Sequence, residues 1–228
     1  MATYYVGWDV GAWYCDDNSK SRDAIVVLDE SGKKKISSRK VVRQELQQKT
    51  VYQFLNTFFS KSLFRESDKI IFAIDAVFSF PCGIIDLLSG NDYTVDPNSD
   101  MWQKGCSIEN PFLFRYTERI VTEKKQRPLS VIQDSIGSQS SKILYFLKRY
   151  HFEQKDNVGV WESKQNIAIE TYPSILGKKG DDIHDAHLCA ELARDFRINR
   201  SNLYSPPDKK DEQKIIKKEG WIWFRNNE

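Results

Sequence analysis

Hydrophobic positions fall into short blocks along the chain, and the spacing changes from block to block. Tyr4–Trp8 is a run of strand formers that stops at Asp9, with Gly11 as a turn signal behind it. Ala24–Leu28 is a second apolar run, entered from Asp23 and left through Asp29-Glu30-Ser31-Gly32. A third strand, roughly Lys35–Arg43, follows that turn. Connections this short cannot make parallel crossovers, so the three strands read as an antiparallel meander. The spacing then becomes helical: behind Thr50, a candidate N-cap, come Val51, Phe54, Leu55, Phe58 and Phe59. Ile70–Ile74 is apolar throughout and ends at Asp75, as expected of a strand buried on both faces.

From Pro81 to Gln133 the pattern is irregular, broken at Gly90-Asn91-Asp92, Asp96-Pro97-Asn98 and Asn110-Pro111. Connections of that size in a compact domain tend to be functional. Trp102, Phe112, Phe114 and Tyr116 imply that this one folds onto something, either a satellite core or a wall over a site. Helical spacing returns over about Ser138–Tyr150. Strands are expected at Val158–Trp161 and Ile167–Ile169, and a helix at about Asp182–Ile198. Beyond Ser205-Pro206-Pro207, a charged helix over Asp208–Lys218 and a strand over Trp221–Phe224 close the pattern. Right-handed crossovers place the fourth strand beside the first and parallel to it. The expectation is one α/β domain over residues 1–228, with an insertion at 82–133 and a C-terminal extension at 199–228. Its topology is that of a ribonuclease H-like mixed five-stranded sheet: three antiparallel strands, then parallel ones, flanked by helices.

That topology gives the carboxylates a meaning. Asp9 and Asp75 end strands that become parallel neighbours, ~4.8 Å apart, at the edge where open α/β sheets place ligands. Two such carboxylates raise each other's pKa unless a cation sits between them, and all-oxygen sites suit Mg²⁺ or Mn²⁺. Taken singly, each is also an ordinary strand-end turn former. In the last long helix, Asp182 and Asp185 head the stripe Ala186, Cys189, Leu192, Ala193 and Phe196, while His184, His187, Glu191, Arg194 and Asp195 share the other face. N-terminal capping accounts for Asp181 or Asp182, whereas Asp185 lies inside the helix and faces inward, where an unpaired carboxylate is costly. Glu170 ends its own strand and is either a further acid at this edge or an exposed strand-end residue. Arg115, Glu118 and Arg119 have helical spacing, which gives a surface ion pair or a group that holds a phosphate or braces a carboxylate.

Composition narrows the class. The 228 residues are 40% hydrophobic and 13% aromatic with a net charge of +2, which excludes a disordered chain. No apolar run approaches the ~20 residues of a membrane span. Met1–Asp9 reads straight into a strand with no basic-then-apolar leader. None of the cysteines (Cys15, Cys82, Cys106, Cys189) forms a C-x-x-C pair, so free thiols in a reducing cytoplasm are expected. Seven basic residues stand against Glu45 alone between Lys33 and Lys49. That stretch is either a solvated strand edge or a phosphate-tracking patch. The three histidines do not form a ligand set, and no glycine-rich phosphate loop is present.

An ordered set of short motifs adds a resemblance. Gly7-Trp8-Asp9-Val10-Gly11, Ile74-Asp75-Ala76, Arg115-Tyr116-Thr117-Glu118-Arg119, Glu170-Thr171-Tyr172-Pro173, Asp182-Ile183-His184-Asp185-Ala186 and Glu219-Gly220-Trp221-Ile222 occur in this order. Together they resemble a family described as predicted RNase H-like nucleases, within the retroviral integrase and RuvC-like superfamily, over nearly the whole chain. The resemblance implies carboxylates at Asp9, Asp75 and Asp185 that bind Mg²⁺ or Mn²⁺, with Asp182 or Glu170 as further candidates, and a nucleic acid substrate. The sequence departs from that family at Asp75-Ala76-Val77, where the family often continues Asp-x-Pro. Two other readings keep the fold. An ATP-binding protein of the actin or sugar-kinase type also begins Asp-x-Gly, as Asp9-Val10-Gly11 does, but needs a second core half and an adenosine loop. A binding protein would have lost the chemistry, although every acidic position is intact.

Overall fold

The computed structural model describes residues 1–13, 21–95, 107–155, 157–173 and 181–226. Its centre is a mixed sheet of eight strands among these residues. The meander is β1 (Thr3–Asp9), β2 (Asp23–Leu28) and β3 (Lys34–Lys40), joined antiparallel. Helix α1 (Val51–Phe59) then crosses over to β4 (Lys69–Asp75), which lies parallel to β1. Thr50 caps α1 as expected, its side chain accepting from the Gln53 N–H.

The segment after β4 departs from the irregular connection expected there. It contains α2 (Cys82–Leu88) and α3 (Tyr116–Lys124), whose short apolar stripes are interrupted by turn residues and therefore leave little periodicity to read. Helix α4 (Gly137–Arg149) follows, then β5 (Glu153–Gln154), β6 (Trp161–Ser163) and β7 (Asn166–Thr171). Strand β7 lies parallel to β4 on one side and antiparallel to β6 on the other. The final elements are α5 (Asp182–Ile198), α6 (Lys210–Glu219) and β8 (Ile222–Trp223), the last pairing parallel with the C-terminal half of β7. The sheet is thus wider than five strands: β6 starts at the end of the expected Val158–Trp161, β8 lies within the expected Trp221–Phe224 and joins the sheet, and the two-residue β5 is too short to show a strand period. Residues 199–226 are part of the core, since Trp221, Trp223 and Phe224 are buried and β8 extends the sheet.

Side chains alternate across the central strands onto two apolar layers. Val6 and Trp8 of β1 and Phe72 and Ile74 of β4 face α1 and α4, where Phe146 meets the rings of Trp8, Phe54 and Phe72 at 5.2–5.6 Å. Tyr5, Ile71 and Ala73 face α5. There Ala186, Cys189, Ala190 and Ala193 are fully buried and let the helix settle onto β1. Contact is closest at Gly7, where an added Cβ would lie 1.9 Å from the Ala186 carbonyl oxygen and 2.2 Å from the Ala190 nitrogen. A glycine is required there by the close approach of two backbones. That packing brings the N-terminus of α5 to the carboxyl ends of β1 and β4. No helix among the described residues is long and apolar enough to cross a membrane.

Candidate active site

Asp9 and Asp75 are register partners at the carboxyl ends of β1 and β4, so the parallel ladder sets the two carboxylates side by side. Glu170 lies on β7 opposite Ile74, one residue behind that edge. Asp185 is in the first turn of α5. Burial is the main force on the central pair. It pushes Asp9 up to about 9, with further contributions from Asp75, Asp182, Asp185 and Asp23. Burial also pushes Asp75 up to about 8, helped by Asp185 and Glu170. Both carboxyls therefore hold protons at a pH where ordinary aspartates are ionised.

Three acids around this pair, Asp23, Asp182 and Glu170, are each matched to a cation. Asp23, fully buried, is held by Lys142, also fully buried, at 2.8 Å. Asp23 Oδ1 accepts from the Trp8 indole and the Gly11 N–H, and its Oδ2 also accepts from the Val42 N–H. Lys142 donates onward to the Ala12 carbonyl, so this pair fixes the turn that leaves Asp9. Asp182 is half-buried and paired with Arg39 of β3, while Asp181 takes the cap of α5 by accepting from the His184 N–H at 2.8 Å. Glu170 is engaged by Arg115 through both guanidinium nitrogens, Nη1 to Oε2 at 2.9 Å and Nη2 to Oε1. Its Oε2 also accepts from the Phe78 N–H. Among the described residues, neither Asp9 nor Asp75 has a basic partner.

Arg115 and Glu118 are fully buried, which departs from the surface ion pair expected first, while Arg115 lines the cleft and braces the Glu170 carboxylate, as the other alternative had it. Arg115 bridges Glu170, Glu118 (2.9 Å) and the Glu219 carbonyl (2.9 Å). Glu219, itself buried, accepts from the Cys82 and Tyr116 N–H groups. The cluster therefore ties together α2, α3, β7 and the end of α6. Gly220, at φ +81°, passes so close that a Cβ there would lie 3.5 Å from Glu170 Oε2. Arg119 is partly exposed and, among the described residues, pairs with Glu109 at 3.4 Å. The motif pattern marked Arg115 and Glu118, but it could not distinguish a brace from a ligand contact. Lys142 was not signalled at all, because a lysine in an amphipathic helix normally faces water.

Asp9 and Asp75 form the floor of a cleft of about 590 Å³. Gln126–Leu129 of the insertion, Gln139 and Ser140 of α4, and Glu170–Tyr172 also line it. Of the aromatic residues of the insertion, Tyr93 meets Phe112 at 5.5 Å, Phe114 is buried beneath Arg127, and Tyr116 packs against the layer that faces α5. Trp102 lies outside the described residues, as do Cys15 and Cys106. Cys82 and Cys189 are free and buried.

The basic stretch occupies the β3 edge, where Lys35 pairs with Asp29, Arg39 with Asp182 and Lys40 with Glu45. Three of its seven basic residues are thereby paired with acids at the surface.

Among the described residues, no three histidine, cysteine, aspartate or glutamate side chains stand together as a metal-ligand set. The donor chemistry at the cleft floor nevertheless fits a hard divalent cation: two adjacent carboxylates lack a counter-charge, and Asp185 is near enough to raise the pKa of both. No family model, no curated protein and no solved structure matches the chain.

Proposed function

We propose that this chain is a divalent-metal-dependent hydrolase of phosphodiester bonds in nucleic acid, built on a ribonuclease H-like core. One contrast carries the reading: Asp9 and Asp75 are side by side and without a cation, while Asp23, Asp182 and Glu170 each have one. Leaving two buried acids side by side without a counter-charge is costly in a fold that gives Asp23, Asp182 and Glu170 one each, and a cation taken up from solution accounts for the deficit. In this reading Asp9 and Asp75 hold Mg²⁺ or Mn²⁺ and Asp185 completes the set from α5. Asp182 remains with Arg39, and Glu170 sets the electrostatics from behind, its oxygens already engaged by Arg115. A cation bound there would supply Lewis acidity, making water a better nucleophile and offsetting charge on the leaving oxygen.

The other parts act through position. The Asp23–Lys142 pair fixes the Gly11–Ala12 turn and with it the end of β1. The test is cleavage of labelled DNA and RNA oligonucleotides with Mn²⁺ or Mg²⁺. Wild type should cut, while Asp9→Asn and Asp75→Asn should not cut yet keep the wild-type circular dichroism spectrum. Equal cleavage by the folded variants would refute the assignment.

A further inference from the structure

Resting on that hydrolase reading, we propose that the cleft takes up one divalent cation rather than two, and that the buried guanidinium of Arg115 stands where a second would bind. Two cations that act on one phosphodiester lie about 3.5–4 Å apart. The second must share a carboxylate with the first and find another acid on its outer side. Asp9 and Asp75 can be shared, so the deciding residues are the acids beyond them. Three directions offer one. On β2, Asp23 precedes Ala24, the register partner of Asp9. From α5, Asp182 is near enough to act on Asp9. On β7, Glu170 is the register partner of Ile74, the residue before Asp75.

Each of these acids already has a cation from the protein. Asp23 is held by Lys142 at 2.8 Å and accepts from three further donors. Asp182 is held by Arg39. Of the three, Glu170 alone lines the cleft, and there Arg115 takes both of its oxygens, Nη1 to Oε2 at 2.9 Å and Nη2 to Oε1. A dication on Glu170 would therefore meet that guanidinium at close range. The two side chains are 0% and 3% exposed, so solvent screens little of the repulsion. Arg115 is not free to swing aside, because Nε is fixed to Glu118 and Nη1 to the Glu219 carbonyl. Nor can it shed its charge. It also lines the cleft, so a permanent single positive charge is built in on the Glu170 side of Asp75. A two-cation centre needs a larger donor set, and among the described residues no three potential ligands stand together. Arg115 is too buried to touch a substrate and acts as a positioning residue, by its charge and by holding Glu170.

Equilibrium dialysis of the full chain against Mn²⁺ tests the proposal, with the bound ion counted by metal analysis and its paramagnetic resonance spectrum recorded. An isolated ion keeps its hyperfine pattern, whereas two ions about 4 Å apart couple and lose it. Wild type should saturate at one Mn²⁺ per chain with the isolated-ion spectrum. Glu170→Gln should still bind one, roughly tenfold more weakly, as expected of a group that does not itself touch the ion. Folded Arg115→Gln should take up a second, coupled ion. Should that variant misfold, wild type and Glu170→Gln carry the test. Two coupled ions on wild type, complete loss of the ion in folded Glu170→Gln, or a single ion on folded Arg115→Gln would overturn the proposal and leave the hydrolase reading standing. One isolated ion bound without cleavage of any oligonucleotide refutes the hydrolase and spares the single-cation assignment. No saturable binding refutes both.

Discussion

Two groups of buried acids lie within one cleft and behave in opposite ways. Glu170 and Glu118 share Arg115, and every oxygen of Glu170 has a donor. Asp9 and Asp75 have only each other, and both are pushed far above the ordinary carboxylate range. The first group is paid for within the fold and ties α2, α3, β7 and α6 together. The second stays in electrostatic deficit, held there by the register of two parallel strands. The same residue type is therefore architecture in one place and a candidate for chemistry a few residues away, and partners decide which.

If this division is right, substitutions in the two groups should differ in sign. The largest effect is expected for Arg115→Met, which leaves Glu170 and Glu118 buried without their cation. Breaking a buried pair from one side costs about 3–5 kcal/mol, to be read from urea denaturation. Lys142→Met should fall in the same range, since it strands Asp23. A loss below ~1 kcal/mol in either variant would mean that the matched acids are not what holds these elements together.

Next in size is Gly7→Ala. Its Cβ would overlap the backbone of α5, and overpacking costs about 1–3 kcal/mol. Because the clash pushes α5, and Asp185 with it, away from the sheet, metal-dependent activity should fall more than stability does. Stability and activity falling in step would show that the helix position does not matter to the site.

A smaller effect is expected on pH dependence. The carboxyls of Asp9 and Asp75 titrate near 4 when unfolded, and burial with repulsion from neighbouring acids raises both well above that when folded. The folded state thus holds more protons than the unfolded one between those limits. Without divalent ions, this pair should make the melting temperature fall as pH rises from 5 towards 9. Asp75→Asn should flatten that fall and leave the protein as stable as wild type, or slightly more so, at pH 8. A wild-type profile flat across this window, or a variant as steep as wild type, would show that the pair is not strained.

Much of this was legible in the sequence, for identifiable reasons. Strands β1, β2 and β4 are nearly continuous apolar runs ending at acids, and Asp182–Ile198 carries a clear helical stripe, so the meander, the parallel neighbour and the packed helix could be read directly. The adjacency of Asp9 and Asp75 followed from topology alone. Strand β8 falls inside the expected Trp221–Phe224 and β6 begins where the expected Val158–Trp161 ends, whereas β5 was hidden because two residues cannot display a period. The roles of Arg115, Glu118 and Glu170 were hidden because motif spacing does not reveal burial: the same Arg-x-x-Glu pattern serves an exposed ion pair or an internal brace. Lys142 could be found only in three dimensions, as its partner lies 119 residues away.

The central claim is that the Asp9–Asp75 deficit is filled by a divalent cation, and calorimetric titration with Mn²⁺ tests it most directly. The expected result is saturable binding to wild type that is lost in folded Asp75→Asn and retained in Arg119→Ala, which changes an arginine remote from the pair. No binding to wild type, or equal binding to Asp75→Asn, would contradict the account.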